Sequence, residues 1–147
     1  MGYTHYWRRS DDFADKTWLH LRSIAIDLMI NCEPEIAGWN GTELPLIDDE
    51  VISFNGLDDE AGKNFTLYRG LRDGFSFCST ARKPYDVVVT ALLIAAQNLQ
   101  PMAILVTSDG EAQDWVAGLE LLNQASPNPN GPWSIPVTVA DPDGDLA

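Results

Sequence analysis

The sequence predicts an α+β domain, with one small mixed sheet and about three helices, one of them a buried central helix. Three observations carry that expectation. Residues 87–96 are apolar at almost every position, so a helix there has no polar face for water and must be covered by the rest of the fold. Short runs rich in aromatic and β-branched residues flank it on both sides, as strands would. A chain of 147 residues with 45% hydrophobic content is the size of one ordinary domain and closes one core without disulfide staples.

In chain order, Gly2-Tyr3-Thr4-His5-Tyr6-Trp7-Arg8 reads as a strand. Alternation puts Tyr3, His5 and Trp7 on one face and Thr4, Tyr6 and Arg8 on the other, and one of these faces meets the core. Ser10, Asp11 and Asp12 supply capping side chains for a helix over about 12–31, with Trp18, Leu21, Ala25, Leu28 and Cys32 at helical spacing. It ends before Pro34. Residues 33–50, with Pro, Gly, Asn and several acids, read as a loop.

Val51–Phe54 and Phe65–Tyr68 are β-type runs joined by a long polar loop, and Asn55-Gly56 marks the first turn. A third strand, Phe75–Cys78, leads into the central helix, and Met102–Thr107 reads as a fully buried strand after it. That strand-helix-strand unit is parallel and right-handed if both strands share a sheet. Ser108-Asp109-Gly110 then caps a last helix carrying Trp115, Val116, Leu119 and Leu122. The domain is expected to span 1–123. Residues 124–147 form a Pro- and Asp-rich tail, partly extended or disordered, in which Trp133–Val139 has the apolar content to lie along the domain.

The formal net charge is −13, and every Lys and Arg lies at or before Lys83. Such a balance argues against direct nucleic-acid binding, which needs clustered cations. The acids then either keep the protein soluble or present a negative surface to a basic partner. Cys32 and Cys78 make neither a disulfide framework nor a CxxC pair, which fits a reducing compartment. No basic segment followed by an apolar run opens the chain, and no apolar run approaches the roughly 20 residues that span a bilayer. A cytoplasmic protein without membrane contact is expected, and the Asn-x-Thr matches at Asn40 and Asn64 are then chance.

Chemistry concentrates ahead of Pro84, a residue favoured at the first position of a helix. Ser79, Thr80, Arg82 and Lys83 put hydroxyls and two cations where free backbone amides and a helix dipole attract an anion. The plain alternative is a capped helix with two solvated charges. Tyr and Trp in the opening strand offer flat faces for a base, with Arg8 and Arg9 beside them, although aromatic strands usually pack cores. If the two regions converge they make a pocket for an anionic, ring-bearing ligand such as a nucleotide. Arg82, Lys83 and Thr80 would hold the anion, Tyr3, His5, Tyr85 and Asn55 would contact the rest, and Arg8 lies nearby.

Catalysis is weaker on these residues. His5, Cys78 and Asp86 supply the parts of a Cys-His-Asp arrangement, but no spacing requires it, and a buried structural cysteine explains Cys78 as well. Two histidines and two cysteines have no metal-ligand spacing, and there is no Walker loop, GxGxxG or GxSxG, so no cofactor or metal is expected. The acids at 48–50 and 58–60 read as solvated loops or as an acidic recognition surface. A homo-oligomer is left open, because nothing separates core from interface aromatics.

Gly-Tyr-Thr-His-Tyr-Trp at 2–7, Phe54-Asn55-Gly56, Phe77-Cys78 with Thr80-Ala81-Arg82-Lys83-Pro84-Tyr85-Asp86, and Ser108-Asp109-Gly110 together resemble a group of small proteins found mainly in bacteriophage genomes. The resemblance covers roughly residues 2–123. It departs at Ser79, where that group usually has lysine, and in the long Pro- and Asp-rich end. No biochemical activity comes with the resemblance. What it implies is a phage accessory protein in the host cytoplasm, where small non-enzymatic proteins often disarm host defence. The expected function is to bind and sequester a small phosphate-bearing or nucleotide-like molecule such as a host immune signal. The alternative is an acidic inhibitor of a host defence or nucleic-acid-binding protein.

Overall fold

A computed structural model describes residues 2–140. The chain runs β1 (Thr4–Arg9), α1 (Asp15–Asn31), β2 (Ile36–Ala37), β3 (Leu46–Ile47), β4 (Val51–Gly56), β5 (Phe65–Tyr68), β6 (Phe75–Ser79), α2 (Asp86–Leu99), β7 (Ile104–Ser108), α3 (Val116–Ala125) and α4 (Val137–Ala140). The class is α+β, as the apolar pattern predicts.

The strands form two small antiparallel sheets where one mixed sheet was expected. The reason lies in β1. It inserts between β6 and β7 and pairs antiparallel with each, so the two strands flanking α2 run parallel without touching. In the second sheet β4 pairs with β5 on one side and with β2 and β3 on the other, so residues 33–50 hold two short strands as well as loop. β5 and β6 are consecutive but form no ladder. The segment just before β5 meets the end of β6 through the Lys63 N–H, which donates to the Ser79 carbonyl at 3.1 Å.

The core follows from the alternation. Tyr3, His5 and Trp7 face inward, where Trp7 meets Phe65 with ring centres 5.3 Å apart and Phe65 meets Phe54 at 4.9 Å. Every residue of α2 from Val88 to Ala96 is buried, so the central helix has no solvent face. Each large side chain withdrawn from water here contributes about 1.5–3 kcal/mol. Gly118 of α3 sits so close to α2 that an added Cβ would lie 2.2 Å from Thr90 Oγ1. α1 buries Trp18, Leu21, Ile24, Ala25 and Leu28 against the same core.

Helix starts differ from the sequence reading. α1 begins at Asp15 with no side-chain cap, because Asp12 turns its carboxylate to the Leu71 amide at 2.7 Å. The turn before α3 is capped by Glu111 and Asp114 reciprocally, and Ser108 is engaged elsewhere. β7 is buried on one face only, since Leu105 and Thr107 point outward. Beyond α3, Trp133 is buried and donates its indole N–H to the Ser126 carbonyl at 2.8 Å, while Asn98 and Ser134 exchange hydrogen bonds. Residues 141–147, with the aspartates of the tail, lie outside the described residues. Among the described residues no helix is long and apolar enough to cross a membrane.

Candidate functional site

The opening strand, the turn before α2 and the end of β7 meet at one corner. His5 is the hub. It is completely buried, with Nδ1 2.7 Å from Ser108 Oγ and Nε2 2.7 Å from Asp86 Oδ1. Thr80, also fully buried, donates its hydroxyl to the same Asp86 oxygen at 2.6 Å. Ser108 Oγ accepts the Gly110 amide at 2.9 Å and the Trp115 indole N–H at 3.3 Å. With both lone pairs taken, the Ser108 hydroxyl hydrogen points to His5 Nδ1, which leaves the imidazole proton on Nε2 for Asp86.

A Ser-His-Asp order suggests nucleophilic catalysis, but the saturation of Ser108 argues otherwise. A serine nucleophile needs a lone pair free to attack. Here the chain Thr80–Asp86–His5–Ser108 ties β1, α2 and β7 together. The notional Cys-His-Asp set does not assemble: Cys78 pairs with His5 only through the backbone ladder, and its thiol reaches the Lys63 carbonyl at 3.4 Å and Tyr85 Oη at 3.9 Å. Burial pushes the Cys78 thiol up to about 12 and holds it protonated.

Above this network lies an open cleft of about 290 Å³ lined by Gly2, Tyr3, Ala81, Arg82 and Asp109. Ala81 and Arg82 are both left-handed, with φ of 53° and 59°, and the Lys83 amide closes the turn on the Thr80 carbonyl at 3.0 Å. A side chain in that region costs about 1–2 kcal/mol per residue, and the surrounding contacts must hold it there. The turn lays the Arg82 guanidinium over the Tyr3 ring, 3.9 Å from its centre, and brings it 3.2 Å from Asp114 Oδ1. The Arg82 side chain stays 61% exposed.

Tyr3 completes the corner. Its ring meets His5 edge-on, and its hydroxyl is buried without a partner among the described residues. Burial, followed by the nearby Asp86 and Asp114 carboxylates, pushes the phenol up to about 12. Gly110 permits this closeness, since an added Cβ would lie 2.3 Å from Tyr3 Oη. Asp114 is held below the usual carboxylate range, first by the Glu111 amide and then by Arg82.

The sequence-predicted residues divide. Arg82, Thr80, Tyr3 and His5 share the corner. Lys83 reaches the other way, to the Asp59 carbonyl at 2.6 Å. Tyr85 is fully buried and donates to the Lys63 carbonyl at 2.6 Å. Asn55 is buried too, and holds Gly62 through both ends of its amide. Arg8 lies on the opposite face of β1 from His5, over Phe75 at 5.4 Å. The amides expected to be free at the α2 start are engaged, those of Asp86 and Val88 on the Lys83 and Tyr85 carbonyls. Two tight turns precede the helix and use up its first donors.

Sequence reasoning missed Ser108, Asp109 and Asp114 as members of the corner. The one signal was the Ser-Asp-Gly triplet, read as a helix cap and as one of the segments that carry the resemblance. It also missed the outward direction of Phe75 and Phe77, which are each 44% exposed. Alternation places them on one face of β6, but both faces carry apolar residues, and only the register with β1 decides which is inside. No group of His, Cys, Asp and Glu side chains that could hold a metal is found among the described residues.

No family model, no curated protein and no solved structure matches the chain.

Proposed function

We propose that this protein binds, without turning it over, a small anionic, ring-bearing molecule at the corner formed by Tyr3 and Arg82. The observation that carries the reading is the strained turn that holds an exposed guanidinium over a tyrosine ring at the mouth of a cleft. Left-handed alanine and arginine side by side cost free energy that a plain helix lead-in avoids, and such strain clusters at ligand clamps. Arg82 retains donors beyond the one on Asp114, enough to grip a phosphate. Of the four segments that carry the resemblance to small phage proteins, 2–7, 77–86 and 108–110 contribute to this corner, while 54–56 does not. In that setting the ligand is a phosphate-bearing or nucleotide-like host signal, and sequestration in the host cytoplasm is the outcome.

The test is native mass spectrometry of the protein after incubation with extract from defence-activated bacteria, followed by denaturing release. A discrete small molecule is expected, held intact. Arg82→Ala should weaken its binding by about 1.5–3 kcal/mol with little loss of fold stability. A protein that emerges empty, or an Arg82→Ala chain that retains the molecule unchanged, overturns the reading.

A second reading, an acidic inhibitor of a host protein, is favoured by a different place. A groove of about 490 Å³ runs past Cys32, Pro34, Pro84, Val87 and Leu121, with Glu33 and Glu120 on its rim. A neighbouring hollow of about 260 Å³ shares Pro34 and Pro84 and adds Glu35 and Glu60. An apolar floor with a carboxylate rim fits a basic, amphipathic segment of a partner. Recovery of a host polypeptide whose binding falls steeply with salt and is lost on neutralising these glutamates supports this version.

A further inference from the structure

We propose that the outward face of the β6-β1-β7 sheet is a stacking platform for a short single-stranded nucleic acid. Register builds the face. Phe77, Tyr6 and Thr107 form one row across the three strands, and Phe75, Arg8 and Leu105 form the next. An open antiparallel sheet normally turns polar residues to water. Here Phe75, Phe77 and Leu105 are 44%, 44% and 45% exposed, so the usual alternation is broken on purpose or at a cost.

The rings form a continuous surface. Tyr6 stacks near Phe75 with centres 6.2 Å apart and planes within 23°, and Phe75 lies 6.4 Å from Phe77. Cations lie over two of these rings, Arg8 over Phe75 at 5.4 Å and Lys63 over Phe77 at 4.8 Å, and a third, Arg72, lies over Tyr68 of the neighbouring β5 at 3.9 Å. A groove of about 260 Å³ between β5 and β6, where the two sheets part, is lined by Lys63, Asn64, Thr66, Tyr68, Phe75 and Phe77. Three of the nine cations in the chain therefore gather where aromatic faces are exposed.

That combination selects the occupant. Bases stack on aromatic rings and guanidinium planes whatever their sequence, and phosphates between them need cations at the same spacing. A duplex hides its bases and gains little from the rings. A second copy is disfavoured by charge, since two such faces would set Arg8, Lys63 and Arg72 of each chain against like charges. The net charge of −13 argues against nucleic acid for the molecule as a whole. At physiological salt, however, charges beyond about 8 Å are largely screened, and the local balance governs: the three cations over the rings against Asp109, which accepts the Tyr6 hydroxyl at 3.1 Å.

The experiment is fluorescence anisotropy with labelled twelve-residue oligothymidylate and oligouridylate, from low to physiological salt. Binding of either is expected, with a slope of log affinity against log salt of about −2, from three phosphates at about 0.7 each. Phe75→Ala and Phe77→Ala should each weaken it about tenfold or more, Phe77→Tyr should retain it, and a duplex of equal length should bind less. Arg82→Ala should leave oligonucleotide affinity unchanged, which separates this face from the Tyr3 corner. No binding of either strand at low salt overturns the proposal, as does binding indifferent to both phenylalanines. A dimer that dissociates on Phe77→Ala, without oligonucleotide binding, assigns the face to self-association and overturns it too.

Discussion

His5 Nε2 and Asp86 Oδ1 lie 2.7 Å apart, joining the first strand to the first turn of the buried helix across 81 residues of sequence. The bond is one link in a chain whose other members are Thr80 and Ser108, so its removal strands several buried polar groups together. Asp86→Ala is expected to destabilise the protein by about 2–4 kcal/mol, because orphaned buried partners cost more than the bond itself contributed. Asp86→Asn keeps an accepting oxygen and should recover a large part of the loss. Urea unfolding midpoints for the three proteins check this, and equal midpoints for wild type and Asp86→Ala would refute it.

The filled hydrogen-bond shell of Ser108 makes a chemical prediction. A fluorophosphonate probe, which labels serines activated by an adjacent histidine, should leave Ser108 unmodified in the folded protein. Intact-mass analysis reads the result, and stoichiometric labelling at Ser108 would restore the nucleophilic role that its three partners argue against.

Alkaline stability is set by groups whose protonated form the fold favours. The Cys78 thiol rises from 9.0 to about 12 through burial, and the Tyr3 phenol from 10.0 to about 12. A group raised in the folded state contributes fully below its unfolded value and loses that contribution as pH climbs to the folded one. The unfolding free energy should therefore fall from about pH 9 toward 12, by about 1.4 kcal/mol per pH unit for each group in its window. Burial also raises the Cys32 thiol, so with Cys32 replaced by alanine in both proteins, Cys78→Ala should delay the onset to about pH 10, where the tyrosines begin. Urea midpoints at stepped pH measure it, and an unchanged onset would show that Cys78 carries none of the effect.

The left-handed pair at Ala81 and Arg82 makes the turn a place where glycine is favourable. Ala81→Gly is expected to stabilise the fold by up to about 1 kcal/mol, since glycine adopts that conformation without penalty and offsets part of its entropy loss. Ala81→Val should do the opposite. Thermal melts of both variants test the sign, and a stabilising valine would mean the turn is not held as described.

Class, size and the hidden helix were legible in the sequence because an unbroken apolar run has one stable destination. The division of β1 into two faces was legible from period two, but which face meets the core was not: Tyr3, His5 and Trp7 turn inward, and Thr4 of the other face is buried as well. The partition into two sheets was not, since nothing local tells β1 to enter between β6 and β7. At the corner, Arg82, Thr80, Tyr3 and His5 were found through residue type. Lys83 and Tyr85 were grouped with them by proximity in sequence and Asn55 through the Phe54-Asn55-Gly56 segment, and two left-handed residues then rotated the turn so that Lys83 faced away. The partners Ser108 and Asp114 come from beyond α2, where only tertiary structure brings them within reach.

The insertion of β1 between two later strands also sets a schedule for synthesis. His5 and Ser108 stand opposite each other in the ladder at a separation of 103 residues. At about 5–20 residues per second, a ribosome needs roughly 5–20 s to deliver the second neighbour after the first strand is made. Until β6 is made, Tyr3, Tyr6 and Trp7 are an unpaired aromatic ribbon on the nascent chain, and one edge of β1 stays open until β7 follows, exposed to holdase chaperones and to strand exchange between adjacent ribosomes. The yield of folded protein should thus depend on translation speed through the α2 codons more than on any feature of the finished surface.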